Sequence, residues 1–293
     1  MILDMTTHSP SLTARVAIPW MVVVLYSMCF ASQARGQGFE NSAYGAQSPA
    51  PQPEEGAPLP GKKEGWRGLF ELKRQNTSRG TPEESTKTTL RVERFLDGPV
   101  EAIRLDFAFP DEKQDFDGSP LNPRLGDIKA RLRFRPLKGN GYSIPSFVEA
   151  SFPTAHPDSL GSGKYQLSAG IRIVAPVTAA FLDPSRHTLR LEAEVEQVNS
   201  IGGDSSRKDI AHTKFELTAY DIWRETYTAK LKLKPAVDWE ADGRTGAVAE
   251  VEGGVFFARD WRAWIMFGRR VWGPSGIAST YDTRVELGAA RTF

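Results

Sequence analysis

The chain has 293 residues, with 37 Lys+Arg against 36 Asp+Glu, a formal charge of +1, one Cys and 4 His. Near-neutral charge supplies no global pull toward nucleic acid or anionic lipid, and one cysteine excludes both an internal disulfide and a cysteine-built zinc cluster. With 25% charged residues and a negative mean hydropathy, the composition excludes a bundle of membrane-spanning helices and, taken alone, describes a soluble protein.

In chain order, the first feature is the apolar run Val16–Ala31, preceded by Arg15 and followed by Ser32-Gln33-Ala34. A basic residue, an apolar core and a small-x-small exit predict a secretory signal peptide over 1–34, cleaved after Ala34. The run falls short of the ~20 residues of a spanning helix and Pro19 interrupts it. Met28 is too large for the position before a lipoprotein Cys29, and cleavage after Ala34 would leave the mature chain with no cysteine. Residues 35–64 are rich in Pro, Gly, Ala and Gln without apolar period, the texture of a disordered leader.

From Gly65 onward apolar and polar residues alternate with period two. His187–Gln197 sets Leu189, Leu191, Ala193 and Val195 against Arg190, Glu192, Glu194 and Glu196. Tyr227–Glu240 sets Tyr227, Ala229, Leu231, Leu233, Val237 and Trp239 against Thr228, Lys230, Lys232, Lys234, Asp238 and Glu240. Asp127–Arg135 sets Ile128, Ala130, Leu132 and Phe134 against Arg131, Arg133, Arg135 and their neighbours. Such segments are β-strands with one apolar face. About twelve are predicted, near 66–76, 87–95, 100–109, 126–137, 142–155, 164–177, 187–199, 208–223, 227–240, 245–259, 262–273 and 281–293. No segment carries a 3.6-residue apolar period, so the fold is all-β.

Alternation fits both a soluble sandwich and a membrane barrel, in which the apolar face meets lipid and the charged face the lumen. Three features favour an antiparallel transmembrane β-barrel over 65–293. The segments are long, near the ~9–11 residues that cross a bilayer. Aromatics gather at segment ends as interfacial girdles do: Phe107 and Phe109, Tyr220 and Trp223, Tyr227 and Trp239, Trp261 and Trp264. The last segment places Tyr281, Thr283, Val285, Leu287, Ala289 and Phe293 on one face. A closing strand ending in Phe293 resembles the outer-membrane sorting signal, which implies the barrel-assembly machinery and outer-membrane lipid as partners.

The stretch Leu125–Leu137, with Gly126-Asp127 opening a strand, is followed by Phe152-Pro153-Thr154 and by Leu160-Gly161-Ser162-Gly163-Lys164 opening another. These elements resemble the bacterial family labelled for a meta-pathway of phenol degradation, with most of the likeness over about 88–175. The resemblance implies a transporter-like outer-membrane barrel of twelve strands; the label names a genomic setting and implies no phenol chemistry.

Gly161-Ser162-Gly163-Lys164 lacks the first Gly and the hydroxyl residue of a phosphate loop and precedes a strand, so it reads as a turn. His156, His187 and His212 form no metal-spaced pair, and no cofactor is expected. His156 with Asp158, Ser159 and Ser162 has the residue types of a hydrolase on one loop, without a nucleophile elbow. The charged faces say more. Arg131 and Arg133, Glu192, Glu194 and Glu196, Lys214 and Glu216, Lys230, Lys232 and Lys234, and Glu250 and Glu252 form acidic and basic columns on neighbouring strands. The reading is an exported Gram-negative outer-membrane barrel, a non-enzymatic pore or transporter-like protein for small-molecule solutes through a charge-lined lumen, with no nucleic-acid partner. A closed structural barrel and a lipid or ester hydrolase are the alternatives.

Overall fold

The computed structural model describes residues 67–78, 84–111, 123–139, 141–179, 182–274, 277 and 280–293. The signal segment 1–34 and the leader 35–64 lie outside the described residues. The rest is a closed barrel of twelve antiparallel strands. They are β1 (Gly68–Thr77), β2 (Ser85–Phe95), β3 (Val100–Pro110), β4 (Ile128–Gly139), β5 (Tyr142–Phe152) and β6 (Lys164–Val177), then β7 (His187–Gly203), β8 (Ala211–Trp223), β9 (Tyr227–Asp238), β10 (Arg244–Ala258), β11 (Trp261–Trp272) and β12 (Thr283–Thr292). Each strand pairs with its sequence neighbours, and β1 closes on β12 from Leu69↔Thr292 to Thr77↔Arg284. At the seam the Gly68 N–H donates to the Phe293 carbonyl at 2.8 Å, and the Phe293 N–H returns the bond at 3.0 Å. Two 3₁₀ turns, Asp158–Leu160 and Trp239–Ala241, are the helical elements among the described residues.

Four of the five connections at one end of the barrel are short, at 96–99, 140–141, 224–226 and 259–260, with 178–186 the exception, while the longest, 111–127, 153–163 and 273–282, gather at the other. Below these are called the turn end and the loop end. In one place the ladder breaks where the sequence removes a donor. Pro136 falls in the register shift between Phe134 and Leu137 of β4, and Pro145 lies in the interrupted pairing of β5 beside it.

The alternation has a definite sense. Leu231 is 61% exposed, Leu287 56%, Val251 53% and Leu72 50%, all on the outside, while Lys230, Glu250, Glu252, Glu286 and Lys73 of the same strands are turned inward and buried or half-buried. An aqueous exterior would leave this apolar surface far larger than soluble proteins tolerate, whereas lipid accepts it. Exterior aromatics mark both rims. Trp223, Tyr227 and Trp261 stand at the turn end, with Trp223 and Tyr227 in ring contact at 5.3 Å, and Phe152, Tyr165, Trp239 and Trp272 stand at the loop end. The girdles differ from expectation in two members: Tyr220 and Trp264 lie on the charged parity of their strands and point inward, 5% and 8% exposed.

Replacing Leu287, in the middle of β12, with Arg is expected to destabilise the barrel by about 2–4 kcal/mol in urea titrations of vesicle-folded protein. The same change at Tyr165, at the rim, is expected to cost about 0–1 kcal/mol. Equal costs at the two positions would contradict a lipid-facing exterior.

Candidate functional site in the barrel lumen

The interior holds a cavity of about 520 Å³ lined mainly by charged side chains. Register explains the first set of contacts, because residues directly opposite on paired strands bring their side chains together on one face. Arg131 faces Glu149, and its Nε donates to that carboxylate at 2.7 Å. Arg172 faces Glu194 with 2.6 Å between charged atoms, and Lys214 faces Glu196 at 3.6 Å. Lys230 faces Glu252 at 3.5 Å. Arg91 grips Asp106 with two nitrogens, at 2.8 and 3.1 Å, the fork geometry that makes arginine–carboxylate pairs strong. Two register pairs oppose like charges: Arg104 lies opposite Arg131, both held by Glu149, and Glu194 lies opposite Glu216. Each of these last two is drawn to cations on its other side, Glu194 to Arg172 and Glu216 to Lys232 and Lys234 at 3.8 and 3.5 Å.

A second set of contacts leaps over intervening strands. Arg104 of β3 reaches Glu149 of β5 at 3.1 Å, Arg133 of β4 reaches Glu93 of β2 at 3.1 Å, and Arg284 of β12 reaches Glu250 of β10 at 3.5 Å. Arg131 spans from β4 to Glu196 of β7 at 3.9 Å. Such contacts require side chains that lie along a concave wall. Glu149, 7% exposed at its side chain, thus carries three cations, Arg104, Lys129 and Arg131.

Aromatic platforms hold several of these cations in place. Phe147 lies across Gly170, its register partner on β6, where a Cβ would collide with the ring, and the Arg131 guanidinium sits 3.7 Å above the ring centroid. Trp264 lies in the same way on Gly288, its partner on β12, beneath Arg262 at 5.1 Å. Tyr281 covers Gly268 beneath Arg284 at 3.9 Å and donates its hydroxyl proton to Glu250. Arg190 and Lys230 both approach the Tyr220 ring, at 4.3 and 4.9 Å. Cation–π contact and ion pairing act on the same groups, and glycine opposite the ring lets it lie flat.

The structure places Arg131, Arg133, Glu192, Glu194, Glu196, Lys214, Glu216, Lys230, Lys232, Lys234 and Glu252 on the cavity wall. Glu250 is set deeper, buried beneath Lys234, Arg284 and Tyr281. Arg135 leaves the basic column, since it falls in the β4 register shift with Pro136 and is exposed. Tyr281 also departs from expectation: it precedes β12 and turns into the lumen, 3% exposed, rather than continuing the outer face. The platforms and their glycines escape pattern reading because a strand glycine has no side chain to alternate; the signal is the cross-strand pairing of Gly170 with Phe147 and Gly288 with Trp264, which needs the register.

Gly161-Ser162-Gly163-Lys164 is a turn into β6. Gly163 has φ +68°, and Ser162 gives both its N–H and its hydroxyl to the Asp127 carboxylate at 2.7 and 2.8 Å. That bond engages one of the two serines of the hydrolase alternative, and no hydrogen bond joins His156 to Ser159 or Ser162 among the described residues. Nearby, the Asp209 carboxylate accepts a bond from Lys164 Nζ at 2.8 Å, which holds it below the usual range for an aspartate. No group of three or more metal-ligating side chains is present among the described residues.

The chain is similar in structure to an outer membrane channel from Pseudomonas putida F1, with a TM-score of 0.54 at 14% identity, over 83% of this chain and 99% of that one. The likeness is one of fold. Two porins superpose more loosely: KdgM, with a TM-score of 0.48 at 10% identity, over 77% of this chain and 99% of its own, and NanC, with a TM-score of 0.49 at 8% identity, over 77% and 100%. No protein-family model and no curated protein matches the chain, so the phenol-degradation resemblance stands on its quoted residues alone.

Glu149→Gln removes the shared anion from Arg104, Lys129 and Arg131 and is expected to cost about 3–5 kcal/mol, as when one partner of a buried pair is deleted. Glu240→Gln, at an exposed loop-end position, is expected to stay within about 0.5 kcal/mol in the same refolding assay.

Proposed function

We propose that the chain is a pore of the Gram-negative outer membrane that passes small polar solutes, with a preference for anions. The observation that carries this reading is the 520 Å³ cavity enclosed by the barrel and lined by charge. Thirteen Lys and Arg line it against nine Glu, and with Asp106, Glu149 and Glu250 set behind the wall against these same cations the surplus of positive charge is small. Fixed charges of one sign lining a passage raise the local concentration of the opposite ion. The likeness in fold to a bacterial outer membrane channel supports the location, as do the apolar exterior and the aromatic rims. In this reading residues 1–34 direct export, 35–64 remain as a periplasmic leader, Phe293 addresses the strand to the assembly machinery, and the short-turn end faces the periplasm.

The mechanism is diffusion along paired charges. A solute anion exchanges with carboxylates for the guanidinium and ammonium groups of the wall. Because Arg131, Arg262 and Arg284 rest on rings, they stay in place when a carboxylate partner is momentarily displaced. The ion pairs that leap across strands, above all Arg131 to Glu196, favour a second reading in which they fill the interior of a closed structural barrel.

Purified protein in planar bilayers separates the two. Discrete conductance steps are expected, and in a KCl gradient the reversal potential takes the sign set by chloride. A silent membrane would favour the closed barrel, and a potassium-signed potential would overturn the anion preference.

A further inference from the structure

The lumen cations have carboxylates within reach almost throughout: Arg91, Arg104, Arg131, Arg172, Lys214 and Lys230 each lie within 4.0 Å of one. Lys87 of β2 is different. It has no ion pair and no hydrogen bond among the described residues, and the cations acting on it are Arg284, Lys129 and Lys73, with Glu286 as the opposing acid. Its position follows from register. Lys87 lies opposite Gln75 of β1, Gln75 lies opposite Glu286 of β12, and Thr77, two residues on, lies opposite Arg284. Lys73 and Arg284 line the lumen cavity, and Lys87 stands one step beyond Lys73 toward the loop end.

Unspent donors collect at this spot. Thr77 Oγ1 and Arg284 Nε are both buried with no hydrogen-bond partner, and half-buried Gln75 lies beside them, opposite Lys87. A buried donor left unpaired costs free energy, and these two, on residues paired in register, would each gain from an acceptor placed between them. An ammonium, a guanidinium N–H, a hydroxyl and an amide together match an oxyanion, which offers several acceptor oxygens and the charge to neutralise Lys87.

We propose that Gln75, Thr77, Lys87 and Arg284 form an oxyanion-binding subsite at the loop-end entrance of the lumen, taking the carboxylate or phosphate group of a soluble solute. The patch faces the lumen, so a lipid headgroup in the surrounding bilayer is not its ligand. The inference deepens the pore reading by adding a place where an anion dwells before it meets the ion-paired interior.

The test is calorimetric titration of the full chain, refolded in a phosphate-free maltoside detergent, with inorganic phosphate and separately with acetate. Saturable binding of at least one is expected. Lys87→Gln is expected to weaken it about tenfold, as loss of a charge-assisted hydrogen bond does. Thr77→Val, which keeps every charge, is expected to weaken it by a smaller factor, and Lys208→Gln, in an exposed loop, to leave it unchanged. Heat-modifiable gel mobility confirms that each variant is folded. Absence of saturable binding to the wild type, or equal binding by Thr77→Val and Lys208→Gln, overturns the subsite. Since the titration needs no conduction, the bilayer recordings test the pore separately: a silent barrel that binds phosphate refutes the pore and keeps the site, and a conducting barrel that binds nothing does the reverse.

Discussion

The hydrogen bonds between β1 and β12 make the rest of the molecule possible. A sheet that spans a bilayer has no water to satisfy an open edge, so every strand must find two partners, and the last must return to the first. Gly68 and Phe293 exchange backbone bonds at one end of this seam, and Ser78 donates to Thr283 at 2.6 Å at the other. Once the seam is closed, strand alternation acquires an inside and an outside. The leucines have no core to enter and meet lipid, and the charges have no bulk water and must satisfy one another.

That second consequence governs the lumen. A carboxylate out of water is tolerated when cations and donors surround it, and Glu149 and Glu250 show how this is arranged. Each gathers partners from more than one strand, Glu149 from β3 and β4 and Glu250 from β9 and β12, with a ring close by: Phe147 beneath the Arg131 that binds Glu149, and Tyr281 donating directly to Glu250. Opposed like charges, Glu194 and Glu216, persist because cations flank the pair. The network is cooperative in the sense that most acids serve more than one base. The cavity that remains is shaped by what the pairing leaves over, a small surplus of basic groups.

Much of this was legible in the sequence, for a physical reason. A period of two needs no tertiary information, so strands such as Val100–Pro110 and Lys164–Val177 fall where alternation and turn residues put them. The acidic and basic columns are legible in the same way. Alternation cannot report which aromatics belong to the inner face, because a ring suits either environment; Tyr220 and Trp264 look like rim residues until parity is counted from Lys214 and Arg262. Nor can it report contacts that depend on register and curvature, such as Phe147 on Gly170 or Arg131 reaching Glu196. The inward turn of Tyr281 escaped because it lies just outside β12, where period two no longer binds.

The central claim is that the apolar parity faces lipid and the charged parity an enclosed lumen. Single cysteines placed one at a time from Lys230 to Lys234 on β9, in a chain whose one native cysteine is Cys29, give the most direct measurement once that residue is replaced by serine. Spin labels at 231 and 233 in reconstituted vesicles should relax with oxygen dissolved in lipid. Labels at 230, 232 and 234 should be shielded from it and respond, where reached, to a water-soluble nickel chelate. That two-residue oscillation is the predicted result. Equal access of the aqueous reagent to both parities would contradict the account and return the chain to a water-soluble fold.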